Sequence, residues 1–455
     1  MSPSTPVTPI SNGSVESCVI TPIREPVGFP LLGRLLKSAF KPKENFAAIF
    51  VRDRAGYEVL DGFRGATIMT LVLFHCLFGL IRILEGPEVQ KLVDNIPPLF
   101  HWAWQARGSD CMFLVCGLLL GMILWREYKK TGTINISRFF FRRSLRIIPL
   151  FLIALFLYLM VDFERNIDYL WSNLLFLTNV IPGQKNIIPV GWSLVLQIQF
   201  YLIVPFLTLW LVRSKRRLFF LALFFILAAV IRSIVLLQHP NLFEIPLSSM
   251  IMGQERDAAR EFATALYYAF PTRMGPFFIG MLLAVVDAEY GKQIMQVFKS
   301  RRWLEAMTVG VGAFFVWLAV SVPMHDPTAP FNSAEFNKWI NLLYLSTHRN
   351  ALTLGLSMLL LAALHGASIG RWINCFFSGR FWYPFAQLVY PIYLFHFPFI
   401  VIAAIIVFQT TDKSTIHNVG MLEVFLLFLV SMTLTVIFSI IAHLFVERPA
   451  INLRN

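Results

Sequence analysis

His75 lies inside an apolar run that reaches about Leu84, and Arg64 stands at its polar start, in Leu60-Asp61-Gly62-Phe63-Arg64-Gly65. Eleven positions at a helical rise set the two roughly 16 Å apart along a helix long enough to cross a bilayer. An imidazole at that depth meets no water and needs a partner in the protein. Held there in its neutral form, it can take a proton from a hydroxyl as a general base. A ring bonded to a neighbouring carbonyl, serving only helix packing, is the plainer alternative.

Other residues could act with it. Arg142, Arg143 and Arg146 stand where a basic loop meets the apolar run after Ile147. Arg142 and Arg146, one helical turn apart, can share a face and form a double fork for phosphates. Basic loops that merely orient spans need no ligand. Asp110, in Gly108-Ser109-Asp110, could hold an imidazole in its reactive tautomer or simply cap a helix. Trp192 and Ser193 lead into Gln197, Gln199 and Tyr201, which can bond a substrate or one another across helices. Arg273 puts a guanidinium at another helix end, with snorkelling as the alternative. His396 lies within a span about 12 Å from its end by helical rise. Pro391 and Pro398 flank it and predict a helix opened around a pocket. His348, Arg349 and His443 read as structural. There is no G-x-S-x-G elbow, P-loop, dinucleotide fingerprint or H-E-x-x-H. The five cysteines include no C-x-x-C, so no metal site is expected. Two intramembrane histidines, an arginine beneath one and a basic mouth suggest a general base served by an anionic donor. Acyl transfer fits that set, and a transporter for an organic anion fits almost as well.

These groups need helices in a membrane to position them. At 57% hydrophobic and 14% charged, with mean hydropathy +0.65, the chain does not have the make-up of an ordinary soluble domain. The net charge of +13 falls between apolar runs. There it orients spans and faces anionic lipid, so nucleic acid is not an expected partner. The predicted fold class is all-α, a polytopic membrane protein of about ten transmembrane helices plus one re-entrant or interfacial segment. Spans are expected up to Leu84, then at about Cys111 to Trp125, Ile147 to Val161, Trp192 to Val212 and Leu218 to Leu237. Five more follow: Met274 to Val286, Leu304 to Val322, Ala351 to Leu364, Leu388 to Phe408 and Leu422 to Phe445. The short apolar piece Tyr169 to Ile181, with Asn173, Thr178 and Asn179 in it, would put the loop Arg213 to Arg217 on the wrong side if it crossed, so it is read as re-entrant or interfacial. Basic loops set both termini in the cytoplasm. Residues 1–55 read as a polar tail and a basic amphipathic segment, 56–449 as the membrane domain and 450–455 as a short tail. The first residues lack the apolar core of a signal peptide. A plasma membrane or bacterial inner membrane is the expected location.

The pattern resembles integral-membrane acyltransferase family 3. Arg64 and His75 match its arginine-ten-residues-histidine signature. Ser109-Asp110-Cys111-Met112-Phe113 with Gly117, Arg143 to Pro149, and Gly191-Trp192-Ser193-Leu194 with Gln199-Phe200-Tyr201 resemble its next landmarks. Arg273 with Gly280, Tyr393-Leu394-Phe395-His396 and Val446-Glu447-Arg448-Pro449 follow in the same order. The resemblance implies transfer of an acyl group, commonly acetyl, from cytoplasmic acyl-CoA to a hydroxyl of a glycan, lipid or small molecule. No cofactor is then bound, and acyl-CoA is the donor substrate. His75 would be the base, Arg64 would orient the donor or stabilise developing charge, and Arg142, Arg143 and Arg146 would hold its phosphates. Asp110 and Trp192 would shape the acceptor side. The chain departs from the pattern at Gln197, where the family usually has glutamate, and at Cys116, where it often has serine. An amide bonds a hydroxyl but exchanges no proton at neutral pH, which keeps a non-catalytic relative in play.

Overall fold

The ten expected spans fall on long helices in the computed structural model, which describes residues 39–52, 57–84, 88, 91–92, 108–245, 250, 255–321, 334–412 and 415–453. The helices are α1 (Pro42–Phe50), α2 (Glu58–Ile83), α3 (Gly108–Thr131), α4 (Ile136–Val161), α5 (Gly191–Arg213) and α6 (Arg217–Gln238). They continue with α7 (Gly275–Ser300), α8 (Arg302–Ser321), α9 (Ala334–His365), α10 (Ile369–Phe377), α11 (Val389–Phe408) and α12 (Met421–Ala442). No strand occurs among the described residues. Most of the expected tail, including its segment up to Lys37, lies outside them, as does the loop between α8 and α9, residues 322–333. Among the described residues, eight helices are long and apolar enough to cross a membrane, or nine if the bent pair of α9 and α10 is one span.

The remaining expected span, Met274 to Val286, is the apolar first half of α7. This helix runs on through Asp287, Glu289, Lys292 and Lys299, and so is too charged to count with the eight. Its acids have partners. Asp287 accepts from Tyr57 Oη at 3.1 Å and pairs with His365 at 3.0 Å, while Glu289 pairs with Arg217 at 2.9 Å. The apolar half packs backbone to backbone on α3. A Cβ on Gly117 would stand 2.1 Å from the Phe277 oxygen, and one on Gly280 would stand 2.2 Å from the Leu114 oxygen. Small residues are what let two membrane helices approach this closely.

Residues 162–190 hold only short helical turns such as Phe163–Asn166 and Leu170–Leu174, so this segment does not span. Asn173 donates to the carbonyls of Tyr169 and Lys185 and accepts from the Ile187 amide; Thr178 donates to Asn186. Polar side chains here satisfy a folded loop, which a regular helix would not require.

Two features differ from the sequence expectation. Pro391 falls in the first turn of α11, and Pro398 lies inside it without breaking it. Pro398 supplies no amide to the Leu394 carbonyl; Tyr158 Oη donates there at 3.1 Å and ties α4 to α11. The helix is therefore continuous, not opened. Secondly, α9 turns by 94° into α10. Glu305 of α8 holds the turn, accepting from the amides of Ala367, Ser368 and Gly370 at 2.8–3.0 Å. Ile369, Trp372 and Phe376 of α10 are exposed, as suits a helix lying along a membrane interface.

Candidate active site

Helices α2, α3, α4, α5 and α11 surround two adjoining chambers. The larger encloses about 950 Å³ outside protein atoms, its mouth included, and the smaller about 310 Å³. Leu71, Ser109, Ser193 and Tyr393 line both and form the junction.

The larger chamber is the cationic one. Arg64 reaches it from α2, Arg143 and Arg146 from α4, and Gln197 and Tyr201 from α5. Arg64 lies 3.7 Å from Asp61, one turn earlier. Arg143 stacks over the rings of Phe139 and Tyr201, 5.7 Å from each centroid. Arg142 is half-buried and is not among the lining residues. Of the expected pair Arg142 and Arg146, only Arg146 lines the chamber, and it does so beside Arg143. The phase of α4 decides this, because Arg143 is in register with the buried Phe139, Ile147, Leu150 and Ala154. Gln197 Nε2 donates to Tyr201 Oη at 2.7 Å and to Cys116 Sγ at 3.4 Å. Gln197 and Cys116, the two departures from the family pattern, therefore touch each other.

The smaller chamber holds His75, Phe74, Trp192 and Tyr267. His75 Nδ1 lies 2.8 Å from His396 Nε2. The other nitrogen of His396, Nδ1, faces the carbonyls of Ile392 and Tyr393 at 3.0 and 2.9 Å. A carbonyl only accepts, so the proton of neutral His396 sits on Nδ1, and its Nε2 must accept. The shared bond is then donated by His75 Nδ1, which leaves a lone pair on His75 Nε2. That is the tautomer a general base requires.

The sequence model of acyltransferase family 3, an acyltransferase domain, matches residues 57–444. The chain belongs to this family. No curated protein and no solved structure matches it. As a membrane acyltransferase of family 3, it draws its remaining polar residues into two groups.

Asp110 does not orient His75. It is fully buried between Arg349, in a close charged bond, and Arg273, at 3.4 Å. A carboxylate without water needs such cations, and the imidazole's partner is His396 instead. Arg273 does not snorkel either; its guanidinium is buried over the rings of Tyr267 and Trp192, at 4.8 and 5.3 Å. Trp192 packs on Tyr267 with ring centroids 4.4 Å apart. Gln199 is structural, exchanging amide bonds with Asn179 at 2.8 and 3.2 Å, while Asn179 also reaches the Tyr268 carbonyl. That set fastens the 162–190 loop to α5. Ser193 bonds Tyr393 Oη at 3.0 Å at the junction.

Sequence reasoning missed Tyr267 in the chamber wall, read Arg349 as structural without pairing it to Asp110, and met Tyr393 only within a family landmark and not at the junction. Arg349 carried the one usable signal, because a cation at the start of an apolar run needs a carboxylate.

Proposed function

We propose that this membrane acyltransferase moves an acyl group, acetyl in the first instance, from acyl-CoA to a hydroxyl of a carbohydrate, lipid or small-molecule acceptor. The observation that carries this reading is the hydrogen-bond chain that leaves His75 Nε2 as a lone pair in the smaller chamber. The arginine-lined chamber beside it suits the phosphates of the donor, with Arg64, Arg143 and Arg146 as their counter-charges. The thioester then lies at the junction and the acceptor hydroxyl in the chamber of Trp192 and Tyr267. His75 removes the hydroxyl proton as the oxygen attacks the thioester carbon, and returns it to the departing thiolate. The imidazolium formed in between keeps its bond to His396 Nε2, which is an acceptor in either state. Gln197 acts by hydrogen bonding alone. The donor enters from the cytoplasm, where both termini lie, and the host membrane is a plasma or bacterial inner membrane.

The test is CoA release from acetyl-CoA by the purified protein in lipid, with membrane extract as acceptor. Release by the protein and none by a folded His75→Ala variant is the expected result. Equal release from both would refute a role for His75 as base, and uptake of substrate without CoA release would favour a transporter.

A further inference from the structure

Attack on a thioester puts negative charge on the carbonyl oxygen, and a transferase needs a donor aimed at it. Four residues line both chambers, and Leu71 has no polar side chain. Tyr393 Oη donates to the Val190 carbonyl. The Ser193 proton is taken up by Tyr393 Oη, at 3.0 Å, or by the same carbonyl, at 3.3 Å. Ser109 differs. Its oxygen accepts from Arg273 Nη2 at 2.7 Å, and its own proton has no acceptor among the described residues. Ser109 is also buried, 7% exposed, with the fully buried Arg273 behind it. A hydroxyl that accepts from a guanidinium is a stronger donor through its remaining hydrogen.

The geometry points to Ser109 as the oxyanion donor of the acyl transfer, polarised by Arg273. This rests on the transferase reading. As the acceptor oxygen bonds to the thioester carbon and His75 takes its proton, the carbonyl electron pair moves onto oxygen, where the Ser109 hydroxyl donates to it. When the pair returns, the carbon–sulfur bond breaks, the thiolate recovers the proton from His75, and the ester leaves. Ser109 gains and loses no atom. Asp110 and Arg349 serve as positioning residues that fix Arg273.

The experiment compares Ser109→Ala, Ser109→Cys and Ser109→Thr with the unmodified protein and His75→Ala, in lipid, by CoA release across acetyl-CoA concentrations. Both Ser109→Ala and Ser109→Cys should lose roughly 10²–10³-fold in kcat, the usual cost of one oxyanion donor, with KM for acetyl-CoA unchanged. Ser109→Thr, which keeps the hydroxyl, should recover much of the rate. Near-normal kcat in Ser109→Cys would show that the serine only fills space and would overturn the assignment. So would a loss confined to KM. If the unmodified protein and His75→Ala differ while the serine variants do not, only this inference falls. If the unmodified protein transfers nothing, the transferase reading fails and takes the inference with it.

Discussion

His75 and His396 come from different helices, and the carbonyls of Ile392 and Tyr393 hold the His396 ring at 3.0 and 2.9 Å. The pair has a direction: the backbone fixes the tautomer of His396, and His396 Nε2 takes the proton of His75 Nδ1. Replacing His396 by Phe preserves an aromatic side chain but removes the acceptor, so His75 can adopt the other tautomer and turn its proton toward the acceptor hydroxyl. His396→Phe should lower kcat on the order of 10²-fold or more, as loss of a tautomer-setting partner does elsewhere, with KM for acyl-CoA held. Steady-state CoA release reads both constants, and an unchanged kcat would remove His396 from the mechanism. At this scale the sequence was readable where the relation is local. Arg64 and His75 lie on one helix, and their spacing gave their separation along it; Arg64 lines the larger chamber and His75 the smaller. The bond between His75 and His396 spans 321 positions, and no periodicity encodes a contact between helices so far apart in the chain. Asp110 shows the same limit: its place at the start of a span was legible, but that Arg273 and Arg349 would meet it was a matter of packing.

Helices, in contrast, were largely legible, because a bilayer forces backbone polar groups into them and apolar runs mark their place. What escaped were stretches where charge and helix coexist. The second half of α7 carries acids that pair with Tyr57, His365 and Arg217 from three other parts of the chain, and α10 packs its turn around Glu305. Each yields a test. Gly280→Leu places a side chain where a Cβ already stands 2.2 Å from the Leu114 carbonyl oxygen. It should cost at least about 1–3 kcal/mol and open the α3–α7 pair, seen as a lower thermal midpoint in detergent. Because α3 supplies Ser109, Asp110 and Cys116, activity should fall with it. Glu305→Ala strands three buried or part-buried amides, and should cost about 1–3 kcal/mol. Its sharper readout is Cys375 on α10, already exposed, whose thiol labelling should change rate once the turn is released. An unchanged labelling rate and midpoint would show that the turn holds without the carboxylate.

The whole molecule is polar in one sense that joins charge to chemistry. Arg126, Lys129 and Lys130 end α3 at the end where α2 begins just after Tyr57, whose ring lies under Arg126, and α4 begins just before Arg138. The cationic chamber lies toward that basic end and the histidine chamber lies beyond it. Basic loops stay in the cytoplasm, so donor and acceptor should approach from different directions along one passage. Arg143→Ala should raise KM for acyl-CoA while Arg142→Ala leaves it nearly unchanged, because only the former lines the chamber. Sidedness gives the stronger test. In sealed vesicles with the protein in both orientations, externally added acyl-CoA should be consumed only by molecules whose basic end faces out. Protease cleavage at the 126–138 loop should identify and remove that population, abolishing release until detergent admits donor to the rest. Release that survives the cleavage in sealed vesicles would mean the donor does not enter through the arginines, and the two chambers would then exchange roles.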